Sequence, residues 1–143
     1  MELLKELLSL RKENLKKCQE HIEWLEIDID NNEDVVSDID DAIESLNDAI
    51  DTLNDLDFET DTIEEAVNDL YDKIDDIKTD IESWQEELDV MEEQEKLLND
   101  EIDTIENIIL KLDGINALLS SHNLQVVVVE RSSNNEFLLD DID

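Results

Sequence analysis

Residues 63–88 read IEEAVNDLYDKIDDIKTDIESWQEEL, and the spacing within them decides the fold. The apolar positions are Ile63, Val67, Leu70, Ile74, Ile77, Ile81, Trp84 and Leu88, alternating steps of four and three residues. A sustained 3.5-residue period with charge between its members marks a helix that buries one narrow seam against another, as in a left-handed coiled coil. Outward from this stretch the ladder runs on through Met91, Glu95, Leu98, Ile102, Ile105, Ile109 and Leu112, with Glu95 its one polar member. A matching ladder lies upstream: Leu8, Arg11, Leu15, Cys18, Ile22, Leu25, Ile29, Asn32, Val36, Ile39, Ile43, Leu46, Ile50 and Leu53. Only Arg11 and Asn32 interrupt it.

Two ladders of similar length, separated by a short acidic stretch, predict an antiparallel helical hairpin that folds at about residues 56–61. Its arms span about 2–56 and 61–113. Thr62 and Glu65 have the spacing of a capping box, and Asp61 is an alternative N-cap. Asn31-Asn32 is the one place where the first arm could break. The heptad phase passes through Asn32 without a slip, which favours a continuous or merely kinked helix with Asn32 setting the register. Near the tip the apolar stripe widens, with Val35, Ala42, Ala49 and Leu56 on one arm and Ala66 and Tyr71 on the other. A wider stripe suits either a packed tip or a homodimer of two hairpins.

Beyond the second arm, Gly114 is the expected helix stop. A short helical piece follows from Ile115 to Ser121. Residues 124–131, with four consecutive valines, are strand-forming because β-branched side chains favour extended backbone. Ser132-Ser133-Asn134-Asn135 has turn chemistry, and residues 136–139 can return as a second strand. Such a hairpin is marginal alone, so the leucines at 3, 4, 7, 8 and 10, together with Ile108 and Leu110, are expected to form its platform. The expected fold is mainly α: a long antiparallel coiled-coil helical hairpin (1–113) with a small C-terminal β-hairpin packed at its base (114–143).

Composition agrees with this and narrows function. The 143 residues include no proline, one glycine and 3% aromatics; 44 Asp and Glu against 10 Lys and Arg leave a net charge of −34. Repulsion argues against direct contact with nucleic acid or an anionic membrane. The charge is uneven, with +1 on residues 1–20, −31 on 21–110 and −4 on 111–143. No Lys or Arg occurs between Lys17 and Lys73, so the Glu-to-Lys pairs that usually support exposed helix faces are absent there. Pairing residues 18–56 with 60–98 places −26 on about 58 Å of axis, one charge per about 2.2 Å, against ~1.7 Å for duplex DNA. Two helices side by side are also about 20 Å wide. The charged N-terminus lacks a signal-peptide core, and a cytoplasmic protein is expected.

Motifs for chemistry are missing. Asp28, Asp30, Asn32 and Asp34 have the spacing that opens a calcium loop, but Glu33 replaces the required glycine and Ile39 the bidentate Glu. His21 and His122 have no metal-ligand spacing, and Cys18 sits at a seam position that favours burial over reactivity. Paired carboxylates abound, yet acid/base catalysis needs a pocket that separates their pKa values. The chain is read as a non-enzyme with no cofactor and no metal. Trp24 and Ile27 fall outside the seam, three residues apart, and are candidate apolar anchors for a partner or for a further helix.

The charge pattern over residues 18–113 resembles that of phage-encoded acidic DNA-mimic inhibitors of the anti-CRISPR and anti-restriction kind. That resemblance implies a partner that is a basic nucleic-acid-binding protein, such as a nuclease or CRISPR effector, in a bacterial host cytoplasm. The expected binding surface is the acidic shaft: Asp28, Asp30, Asp34, Asp38, Asp40, Asp41, Asp48 and Asp51 on the first arm, and Glu64, Glu65, Asp69, Asp72, Asp75, Asp76, Asp80, Glu82, Glu86 and Glu87 on the second. The alternative is a structural or assembly coiled coil that binds through its tip, the Trp24 patch or the C-terminal β-hairpin.

Overall fold

The computed structural model describes residues 2–131. Two long α-helices, α1 (Glu2–Asp55) and α2 (Asp61–Leu119), are followed by a single 3₁₀ turn at Ser120–His122. The helices pack together, and every position of both sequence ladders is buried or half-buried, Arg11, Asn32 and Glu95 included. The seam is only one layer thick. Even the best-covered members, Ile43 and Ile74, keep 4% of their surface exposed, and no described side chain is fully enclosed.

Contacts divide the chain into two compact units. The turn unit, Gln19–Glu93, contains the connection between the helices. Its core is one cluster of Ile43, Ile50, Val67 and Ile74 and another of Ile29, Ile77 and Ile81. The terminal unit combines Met1–Cys18 with Gln94–Asp143 and buries Leu4, Cys18, Leu98, Ile102 and Ile105.

α1 does run unbroken through Asn32. Its side chain does not reach across the seam for a partner: Asn32 Nδ2 donates to the carbonyl of Asp28 on its own helix, at 2.8 Å. That intrahelical bond engages the amide without specifying a neighbour.

At the tip, α1 ends in a Schellman motif. The Phe58 N–H donates to the Leu53 carbonyl at 2.9 Å and the Asp57 N–H to the Asn54 carbonyl at 3.0 Å. Asp57 takes the left-handed conformation this requires, with φ 64°. The N-cap of α2 is Thr60, and neither Thr62 nor Asp61. Its carbonyl accepts from the Glu64 N–H at 3.0 Å, the first bond of the helix. Buried Thr60 Oγ1 lies 3.2 Å from Asn54 Oδ1 at the end of α1 and 3.3 Å from Glu64 Oε2 in the first turn of α2, two acceptors that share the hydroxyl's single proton.

Gly114 does not stop α2. The half-buried sequence Ile109, Leu112, Asn116, Leu119 continues the seam across it, and packing outweighs the ~1 kcal/mol a glycine costs inside a helix. The stop is Asn123, left-handed at φ 57°, where a second Schellman pair links Leu124 to Leu119 and Asn123 to Ser120.

The C-terminal β-hairpin is not supported. No strand occurs among the described residues, and the expected first strand at 124–131 is irregular; the expected second strand at 136–139 lies outside them. Valine propensity makes a strand only when another backbone completes the ladder. Here the partner is one side chain: Asn116 Oδ1 accepts from the Val126 N–H at 2.7 Å, and Asn116 Nδ2 donates to the Val126 carbonyl at 3.2 Å. Val128 and Val129 then line a groove with Leu3, Leu4, Leu7 and Leu10, so four of the five expected leucines face this segment and Leu8 does not line it. Ile108 and Leu110 do not share that groove and remain exposed.

Candidate functional site

Seventeen of the eighteen carboxylates expected to form the binding surface are exposed, and all eighteen belong to the turn unit. The physical reason is the seam itself. When positions three and four residues apart face inward, most of the positions between them face water, and here about half of those positions are acidic. Asp28 is half-buried, beside the bond its carbonyl accepts from Asn32. Glu64 is engaged at the Thr60 cap, and Glu87 Oε1 lies 3.0 Å from His21 Nε2 across the helix pair.

The unit as a whole carries thirty acidic residues against Lys73 and Lys78, a net charge of −28. Neither lysine makes an ion pair among the described residues, so they dilute the negative surface without neutralising particular carboxylates. The sequence-based set was too narrow: Glu23, Glu33, Glu44, Asp55, Asp89 and Glu92 are equally exposed. Nothing in their surroundings separates them from the expected eighteen, and a plain charge count over the unit would have included them.

Trp24 and Ile27 are 71% and 51% exposed, so neither described helix covers them. The widened stripe near the tip is likewise uncovered. Val35 and Tyr71 are exposed, and Leu56 and Phe58 flank Asp57 in the turn at 62% and 61% exposure. The packed-tip explanation therefore fails within a single chain. Phe58 was missed by the heptad reading because it lies in the loop, where seam periodicity carries no information.

Cys18 is buried in the terminal unit. Burial pushes its thiol up from the usual range, and the nearby Glu95 carboxylate adds to the shift, which disfavours the nucleophilic thiolate. Among the described residues no three His, Cys, Asp or Glu side chains are grouped to hold a metal ion. No helix among the described residues is long and apolar enough to cross a membrane. Compared with known proteins, the chain matches no family model, no curated protein and no solved structure.

Proposed function

We propose that the chain is a nucleic-acid-mimicking inhibitor whose turn unit occupies the basic groove of a DNA- or RNA-binding protein, a host defence nuclease or CRISPR effector. The observation that carries this reading is the exposure of every acidic side chain of the unit except half-buried Asp28. The α1 part of the unit, residues 19–55, is about 55 Å long at 1.5 Å per residue. Spread along it, −28 gives one charge per about 2 Å, near the ~1.7 Å of duplex DNA, on two helices with a combined width of about 20 Å. A groove built to release counterions from phosphates gains the same electrostatic attraction from these carboxylates, and association is steered at long range.

The charge arrangement opposes the chain's own folding. Asp72, Asp76 and Asp80 are successive i,i+4 neighbours with Asp75 beside them, and each like-charge pair opposes helix formation by ~0.2–0.5 kcal/mol. A surface maintained against that repulsion serves contact with something positive.

Partners captured from a bacterial lysate at low salt should be basic nucleic-acid-binding proteins that duplex DNA and rising salt both displace. Replacing Asp72, Asp75, Asp76 and Asp80 with Asn should weaken inhibition of the captured protein while helix content is preserved. Capture that ignores DNA and survives high salt would sink the proposal. It would favour the second reading, an assembly protein docking through exposed Trp24 and Ile27, whose test is loss of capture on Trp24→Ala.

A further inference from the structure

In the terminal unit one face carries two opposite rows of charge. On α1, Lys5, Lys12 and Lys16 are exposed and recur at intervals of seven and four, which places them along one side of the helix. On α2, Asp103, Glu106, Leu110 and Asp113 recur at three, four and three and form a parallel row. The rows adjoin, because Lys12 Nζ lies 3.4 Å from Glu106 Oε2. Beyond that one loose pair the rows are unspent: Lys5, Lys16, Asp103 and Asp113 make no ion pair among the described residues. Between them runs a groove of about 560 Å³ lined by Leu8, Asp103, Glu106, Asn107, Ile109 and Leu110. Leu110 stands beside it, 70% exposed.

We infer that this face is a self-association surface, and that its occupant is the same face of a second copy of this chain. A two-fold arrangement is self-complementary: it sets the lysine row of each copy against the acidic row of the other, and each Leu110 against the groove that Leu8 and Ile109 line. Charge selects this occupant and this place. Two turn units, each at −28, repel, whereas the first eighteen residues hold five basic and three acidic side chains. The lysine row is the one concentrated positive feature of the chain, and the acidic row beside it suits a partner with the same two rows. The inference does not depend on what the turn unit binds.

Sedimentation equilibrium of the full chain at near-physiological salt should show a concentration-dependent mass that approaches twice 16.6 kDa by roughly 100 μM. Leu110→Glu, at an exposed position that leaves the seam intact, should weaken association at least about ten-fold. A charge exchange tests the pairing itself. One variant carries Lys5→Glu, Lys12→Glu and Lys16→Glu; the other carries Asp103→Lys, Glu106→Lys and Asp113→Lys. Each alone should be monomeric, and an equimolar mixture should form a heterodimer, while Trp24→Ala in the unmodified chain should leave association unchanged. Helical circular dichroism equal to that of the parent verifies that both exchanged chains fold. The inference is overturned if the unmodified chain stays at 16.6 kDa throughout this range, as it would were the face covered by its own residues 132–143. It is equally overturned by a dimer indifferent to Leu110→Glu, or by folded exchanged chains that do not pair.

Discussion

In the turn unit, Ile43, Ile50, Val67 and Ile74 are buried beneath a surface of thirty acidic residues and two lysines. In the terminal unit, Leu98, Ile102 and Ile105 reach similar burial, and the described residues there include ten acidic and eight basic side chains. The inward-facing pattern is the same, and the outward-facing one differs by more than twenty charges. The terminal unit makes cross-helix pairs at Arg11–Glu101 (2.6 Å) and Lys12–Glu106; the turn unit has only His21–Glu87. Seam and surface are thus separable. The 3.5-residue period selects paired helices whatever lies outside it, and the outside is left to serve interaction.

Breaking the seam should produce the largest effects, and similar ones in both units. Ile74→Ala and Ile102→Ala should each lose about 2–4 kcal/mol in urea titrations, from lost burial plus the cavity left behind. Losses that differ by several-fold would mean that one core carries the other. The surface contrast should then appear as a difference in salt response. Raising sodium chloride from about 0.02 to 0.5 M shortens the screening length and should increase amide-exchange protection in residues 19–93 by about 2 kcal/mol, with changes of only a few tenths in the terminal unit. Equal gains in both units would show that repulsion is not concentrated where the charge is.

The smallest effects lie at the helix boundaries and have opposite signs. Thr60→Ala removes the hydroxyl between Asn54 and Glu64 and should cost about 1 kcal/mol by thermal unfolding. Gly114→Ala should stabilise by about 0.5–1 kcal/mol, because a Cβ there meets nothing within 4 Å and alanine is the better helix former. A loss at Gly114 would restore to that residue the terminating role its sequence context had implied.

The helices, the turn between Asp55 and Asp61 and the inward set of residues were all legible, since each depends on local spacing repeated many times. Asn32 was legible as a seam position, though its partner was not, because an amide can satisfy itself on its own helix as readily as across the seam. Gly114 was misread by weighing one residue's propensity above the phase that Leu112, Asn116 and Leu119 maintain around it. Asn123, two residues beyond the expected short helix, has the alternative left-handed preference that could have marked the true end. The valine segment failed for a different reason: strand propensity is conditional on a backbone partner, which no local pattern supplies. The acidic surface was legible as a charge count, and the choice of eighteen among its members was not.

By itself the sequence determined that this chain forms two long helices facing each other along a narrow seam, with a net charge of −28 outside one part of it, because heptad spacing and charge are properties of residues close together in the chain. Only the tertiary structure decided where polar and extended groups found their partners. Thr60 placed its hydroxyl between Asn54 and Glu64, Asn116 captured Val126, and Trp24, Phe58 and Leu110 were left uncovered. Those outcomes depend on which surfaces meet across long stretches of chain, and a two-helix seam, one side chain thick, has few surfaces to offer.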